Sequence, residues 1–230
     1  MQNKEYQSNI GLSILNSTAL DNLGEVSISL YDSALSIVTD DTILENIPLL
    51  GIAVKTLKAG IAINDRIFFN NVSRFLLRLK DISLDEREKF IYDMDKDDTF
   101  KRRVADNLIL VLNKIDDTGK ADLIGDLFKL YIKQKIDYNE YSRFATIINR
   151  SHLPDILSIL KLGVYDKIKY DDFIITIDNL SRIEMNELYS LGLVTSPIVR
   201  IITSDKPGEL GVNISQLGRR LITLFRDNSN

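Results

Sequence analysis

The string Leu108-Ile109-Leu110-Val111-Leu112-Asn113-Lys114-Ile115-Asp116 ends in Asn-Lys-x-Asp, the pattern with which GTPases read guanine. Base reading alone hydrolyses nothing. A GTPase also cradles phosphates in an upstream Gly-x4-Gly-Lys-Ser/Thr loop, and this chain has none. Gly119-Lys120 follows the motif, precedes Ala121, and has Lys114 where the first loop glycine belongs. The apolar run fits a helix at three-and-four spacing, and that reading is preferred.

Asp93, Asp95, Asp97 and Thr99 occupy alternate places of a calcium-loop pattern. Such a loop needs glycine at its sixth position and a bidentate glutamate at its twelfth. Asp98 and Val104 stand there instead. A solvated acidic turn that caps the next helix is the simpler expectation.

The single histidine, His152, has Asp155 nearby, and as a residue before a helix it reads as a surface or capping group. The pairs Asp116-Asp117 and Asp171-Asp172 fall at expected helix ends, where anions are favoured or solvated. No His/Asp/Glu group has metal-ligand spacing, so no catalytic residue, metal or cofactor is assigned.

Three features could serve binding. Arg200, Arg219, Arg220 and Arg226 are candidate nucleic-acid contacts in the tail. Lys101-Arg102-Arg103 faces the Asp-rich turn and reads as locally neutralised. The stretch Ile47 to Ile63 is apolar except for Lys55 and Lys58. It is too short and too charged to span a bilayer, which takes about 20 apolar residues. It reads as a buried helix, or else as a membrane or partner contact through Leu50, Val54, Leu57 and Ile61.

The elements that would position these groups are largely helical. Residues 1–39 form an acidic segment, with Ala19 to Leu23 and Ser27 to Tyr31 open between helix and strand and the first polar residues expected unstructured. Pro48 suits a helix start. From there the pattern runs helically to about Leu79, with a break near Gly60. Ser83-Leu84-Asp85-Glu86 is a capping box, and Asp137 to Glu140 repeats its logic. Further helices are predicted over Phe100 to Ile115, Ala121 to Lys133, Tyr141 to Ile148 and Pro154 to Leu162, the last ending at Gly163. Beyond it, Phe173 to Ile177 is a β-favouring run that also fits a buried helix, Ser181 caps a helix ending at Gly192, and two strands flank a turn at Asp205 to Gly208. Ser215 then caps a last helix. That order fits the wing half of a winged-helix module and equally a plain β-hairpin packed on the helical domain. The expected reading helix carries Glu184 and Glu187 with only Arg182 basic, which counts against DNA contact.

Composition bounds the rest. The chain has 230 residues, 44% apolar and 27% charged, so it can bury a real core. Its net charge of -4 disfavours a phosphate-neutralising surface. It has no cysteine, which removes disulfides, thiolate nucleophiles and Cys-ligated metals and suits a reducing compartment. Nothing at Met1 to Tyr6 has the layout of a secretory signal, so the default expectation is cytoplasmic.

Several packing motifs resemble a family of uncharacterised, mainly helical proteins of bacterial chromosomes and prophages. They are Ile47-Pro48-Leu49-Leu50, Ile63 to Phe68, Phe75-Leu76, the Ser83 to Phe90 helix, Asp137 to Phe144, Leu191-Gly192-Leu193-Val194 and Gly218-Arg219-Arg220-Leu221. The similarity covers most of the chain. Where the family's tail reads Leu-Thr-x-x-Gly, this one has Ile214-Ser215-Gln216-Leu217-Gly218. The resemblance implies a bacterial or prophage origin and a place in phage conflict, and it implies no active site.

The expectation is therefore a mainly α protein: an acidic segment (1–39), a helical domain (40–163) and a winged-helix-like α+β tail (164–230). Its expected role is a non-enzymatic regulatory or phage-defence protein acting through a protein partner or self-association. The alternatives are a nucleic-acid-binding regulator using the tail and a conditionally membrane-associated effector.

Overall fold

The computed structural model describes residues 2–35, 63–161, 174–176, 181–195, 198–200 and 209–228. The chain is mainly helical and divides into two compact units, Met1–Asn149 and Arg150–Asn230. The stretch Ile47 to Ile63, with Leu50, Val54, Leu57 and Ile61, lies outside the described residues but for its last residue, Ile63. No described helix is long and apolar enough to cross a membrane.

The first unit opens with α1 (Gln2–Ser17) and α2 (Leu23–Leu35). The polar start, expected to be unstructured, is helical from Gln2. Further along α1, Ile10, Ile14 and Leu15 are buried, and the helix packs on α5 (Asp98–Asn113). The Ser-rich segment open between helix and strand is α2, whose Leu23, Val26 and Leu30 recur at helical spacing and are buried as α2 packs on α3 (Ile63–Leu77).

Then follow α4 (Leu84–Met94), α6 (Gly119–Ile132) and α7 (Tyr138–Arg150). Ser83 caps α4 by accepting from the Glu86 amide at 3.3 Å, but its own hydroxyl donates to the Glu86 carboxylate at 2.9 Å. The second half of that predicted box is thus made between side chains. α6 is the central helix, with its residues from Lys120 to Ile132 buried on almost every side except at Asp122 and Lys129.

α3 packs on α6, and Gly125 lets them meet closely. A Cβ there would stand 2.8 Å from Arg78 Cβ and 2.9 Å from the Phe75 carbonyl oxygen. On the outer side of this contact Arg74 pairs with Asp122, Arg78 forks onto Asp126 with two bonds of 2.9 Å, and Lys129 faces Asp81 at 3.9 Å. The first two pairs are each separated by 48 residues, so the two helices run parallel. Burial raises the Asp126 carboxyl above its usual range, against the pull of Arg78.

Arg87 on α4 ties in the α1–α2 corner. Its side chain is buried, yet it meets no carboxylate among the described residues. It donates instead to three carbonyls, Ile82 at 3.0 Å, Thr18 at 2.8 Å and Leu20 at 2.6 Å. Burial lowers its pKa, with Asp21 acting the other way. Three acceptors match the guanidinium's fork of donors, which makes the desolvation tolerable.

The second unit contains α8 (Leu153–Lys161), β1 (Ile174–Thr176), α9 (Arg182–Ser190), β2 (Ile198–Arg200), β3 (Glu209–Asn213) and α10 (Gln216–Asn228). The β-favouring run supplies β1. The sheet is antiparallel in the order β1-β3-β2, with Ile174 opposite Asn213 and Arg200 opposite Glu209. Ser181 and Glu184 form a full reciprocal capping box, with bonds of 3.2 Å and 2.7 Å. Gly192, at φ +74, closes α9 as its position predicts. Ser215 starts α10 by accepting from the Gly218 amide at 3.0 Å. Gly163 and the turn at Asp205 to Gly208 fall outside the described residues.

The buried fork of Arg87 generates a stability test. Replacement by methionine fills the volume but strands three carbonyls, so Arg87→Met should lower the unfolding free energy by about 3 kcal/mol. Urea denaturation reads this directly, and a loss below about 1 kcal/mol would show that the clamp does not hold the corner.

Candidate functional site: an aromatic groove holding one arginine

Three sequence segments of the first unit converge on an open groove of about 590 Å³. α5 contributes Phe100 and Arg103, the last turns of α6 contribute Tyr131, and the α6–α7 turn with the start of α7 contributes Gln134 to Glu140. Each is placed by local rules. Asp97 caps α5 by accepting from the Phe100 amide at 2.9 Å, which fixes the helix phase and puts Phe100 and Arg103 on one side, three residues apart. Asp137 caps α7 by accepting from the Glu140 amide at 2.8 Å.

The turn between α6 and α7 is a Schellman motif. The Gln134 amide donates to the Tyr131 carbonyl at 3.0 Å and the Lys135 amide to the Leu130 carbonyl at 2.9 Å. The motif requires a left-handed residue, and here that residue is Gln134, at φ 55. It is the only non-glycine with positive φ among the described residues. Glycine is the favoured occupant of such a site, so a glutamine there stores strain at the groove wall.

The groove floor is aromatic. Phe100 and Tyr138 meet edge to face at 5.3 Å, and Tyr131 stacks on Tyr141 at 5.8 Å. Phe128 touches Tyr131, Tyr141, Phe90 and Phe75, with centroids within 5.6 Å, so the floor continues into the core. Burial pushes the phenols of Tyr131, Tyr138 and Tyr141 above their usual range, and they stay protonated at neutral pH. The Tyr141 hydroxyl is buried without a hydrogen-bond partner.

Arg103 lies over this floor. Its guanidinium carbon is 4.9 Å from the Phe100 centroid and 5.7 Å from that of Tyr138. The side chain is exposed, and among the described residues it meets no carboxylate. Ring faces hold it by cation–π attraction, which leaves the edge of the guanidinium open to solvent.

The expected neutralisation of Lys101-Arg102-Arg103 by the acidic turn is thus only partly what the structure shows. Lys101 pairs with Asp95 at 2.5 Å and Asp93 takes Lys96 at 2.6 Å. Consecutive helical residues point about 100° apart, so Arg103 leaves on a different side and finds rings instead. The acidic turn caps α5 as expected, through Asp97.

The other sequence candidates are dispersed. The string ending in Asn113-Lys114-Ile115-Asp116 is the C-terminal end of α5. Asn71 and Asn149 donate to the Leu112 and Val111 carbonyls at 3.1 Å and 2.9 Å and finish that helix. Asp116 pairs with the buried Lys120 at 2.5 Å, which holds its carboxyl below the usual range. His152 stands 3.4 Å from the Asp155 carboxylate at the start of α8 and is exposed. On α10, Arg219 donates to the Ile214 carbonyl at 3.3 Å, Arg226 pairs with Asp227 at 3.1 Å, and Arg220 is exposed. Arg219 and Arg226, seven apart, share a side of the helix, and Arg220 points about 100° away. Arg200 lies in β2, paired with Glu209 in register.

A strained glutamine makes this site testable on stability alone. Gln134→Gly should raise the unfolding free energy by about 0.5–1 kcal/mol, because glycine relieves the left-handed penalty. A chemical-denaturation midpoint that falls would show that Gln134 side-chain contacts outweigh the backbone strain.

No protein family model, curated protein or solved structure matches the chain.

Proposed function

We propose that this protein acts without catalysis, by binding a partner protein in the Arg103 groove. The observation that carries the reading is the exposed Arg103 guanidinium, seated on Phe100 and Tyr138 with no carboxylate partner among the described residues. Arginine and tyrosine on a preformed aromatic surface are the residue types that dominate the energetics of protein interfaces. The two-χ aromatic side chains are already held by the core, so little entropy is lost when a partner covers them. The phenols, protonated at neutral pH, offer a partner hydrogen-bonding groups beside their ring faces. The resemblance to bacterial and prophage proteins supports a regulatory or phage-defence setting in a bacterial cytoplasm.

A photo-crosslinking side chain at Asn139, on the groove rim, tests this in lysate of a bacterial host. One protein should be captured, and competed away by excess unlabelled protein but not by a Tyr138→Ala variant. Capture that both competitors abolish equally, or none, would overturn the reading.

A second reading concerns the second unit, which we propose is winged-helix-like and contacts nucleic acid. The order α9, β2, β3, α10 with β3 central supports it. So does the orientation of α9, where the Glu184 carboxylate is taken by the Ser181 amide and the Ser158 hydroxyl, at 2.7 Å and 3.1 Å. The exposed side therefore shows Arg182, Asn186 and Tyr189. Against it, the unit carries as many acidic as basic residues. Binding to duplex DNA should weaken steeply with salt, with a log–log slope of roughly 0.9 per neutralised phosphate, and should fall in Arg219→Ala. Salt-independent or absent binding ends this reading.

A further inference from the structure

The chemistry of the groove narrows what it holds. Resting on the partner-binding reading, we propose that its occupant is an acidic peptide segment: one carboxylate on the Arg103 guanidinium, beside an apolar or aromatic side chain laid on Phe100, Tyr131 and Tyr138.

The argument starts from how Arg103 is held. The guanidinium carbon lies 4.9 Å and 5.7 Å from the Phe100 and Tyr138 centroids, and because those rings stand at 79° to each other the planar group stacks on at most one of them. Its N–H donors lie in the plane and point away from the edge. A planar fork of donors in water matches a carboxylate, which it grips with two parallel bonds. The fork is preorganised by the rings, so it loses less freedom on binding than a loose arginine would.

No local group satisfies that fork. Asp137 on the groove wall has one oxygen committed to the Glu140 amide at 2.8 Å, as the cap of α7. Among the described residues no carboxylate comes within ion-pair distance of Arg103. The neighbouring Lys101 is paired with Asp95.

The size and charge of the groove then select a peptide. At about 590 Å³ the open groove offers more surface than a lone carboxylate or inorganic anion covers. A nucleic-acid strand would bring a row of phosphates past Asp137 and Glu140, which line the same groove. Arg103 and Lys135 line the groove beside Asp137 and Glu140, a mixed lining that takes a single carboxylate on Arg103 more readily than a track of phosphates. An aromatic floor beside the cation is left for an apolar side chain next to the acid.

Gln134 gives the wall a reason for its strain. A primary amide has both donors and an acceptor, the complement of a peptide backbone, and glycine in its place would have neither. The left-handed backbone persists at a position where glycine would be favoured.

The test uses the full chain and a yeast-displayed random octapeptide library. Enriched sequences should carry Asp or Glu within three positions of an aromatic or leucine. Their affinity should fall about tenfold or more in Arg103→Gln and in Tyr138→Ala, and stay unchanged in Arg102→Gln. Gln134→Gly should weaken binding while raising stability, a split that misfolding cannot produce. Far-UV circular dichroism checks that each variant folds.

The outcomes separate the two levels. Enriched peptides without acids that still depend on Tyr138 would overturn the acidic occupant and leave the groove reading standing. Peptides indifferent to both Arg103→Gln and Tyr138→Ala would overturn the groove itself. An empty selection would overturn the peptide inference, and the crosslinking experiment would still decide whether a folded partner binds there.

Discussion

A missing side chain at Gly125 sets the geometry on which the first unit depends. With only hydrogen at that position α3 settles onto α6, and a Cβ would meet the Phe75 carbonyl at 2.9 Å. One turn further along α6, Phe128 is thereby brought against Phe75, at 5.3 Å between centroids. Phe128 in turn contacts Tyr131 and Tyr141, and Tyr131 reaches the groove. Close helix approach in the core and an aromatic floor at the surface are therefore one continuous packing arrangement. Rings fixed from behind in this way give Arg103 a rigid shelf, and a rigid shelf makes a preorganised cation.

Charge is distributed by the same logic. Arg87 is spent on three backbone carbonyls, Lys120 on Asp116, and Arg74 and Arg78 on the carboxylates of α6. Most of these pairs are partly solvated, and each adds little stability alone. Their effect is to pin neighbouring elements. Arg103 differs from Lys101, which is paired with Asp95, in resting on rings and meeting no carboxylate among the described residues. Specificity at the groove comes from this contrast as much as from Arg103 itself.

The helical character was legible wherever apolar residues recur at three and four: α4 to α9 all fall on predicted segments, and the capping signals at Ser83, Asp137 and Ser181 mark real starts. The start of α1 was hidden because its polar opening residues advertise solvent, and the helix packs on α5, more than ninety positions away. The groove was harder still. Phe100 and Arg103 are an ordinary pair at helical spacing, and Tyr131, Tyr138 and Tyr141 read as core. Only the Schellman turn brings α7 back so that the tyrosines meet α5. A trace existed in the sequence, namely a turn without glycine after a long apolar helix, but its meaning requires the backbone angle at Gln134. Lys101-Arg102-Arg103 misled by adjacency, since neighbours on a helix face different surroundings.

The parallel course of α3 and α6 has a kinetic consequence. Two helices can be antiparallel neighbours across a short loop, but parallel ones need a return path, as parallel strands need a crossover. Here that path is α4 and α5, inserted between partners 48 residues apart. The Arg74–Asp122 and Arg78–Asp126 rungs close a loop that contains both intervening helices. Contact order is thus raised by topology in a protein whose helices are individually local, and loop-closure entropy is paid before the rungs repay it. Assembly of this unit is accordingly slower than its helix content suggests.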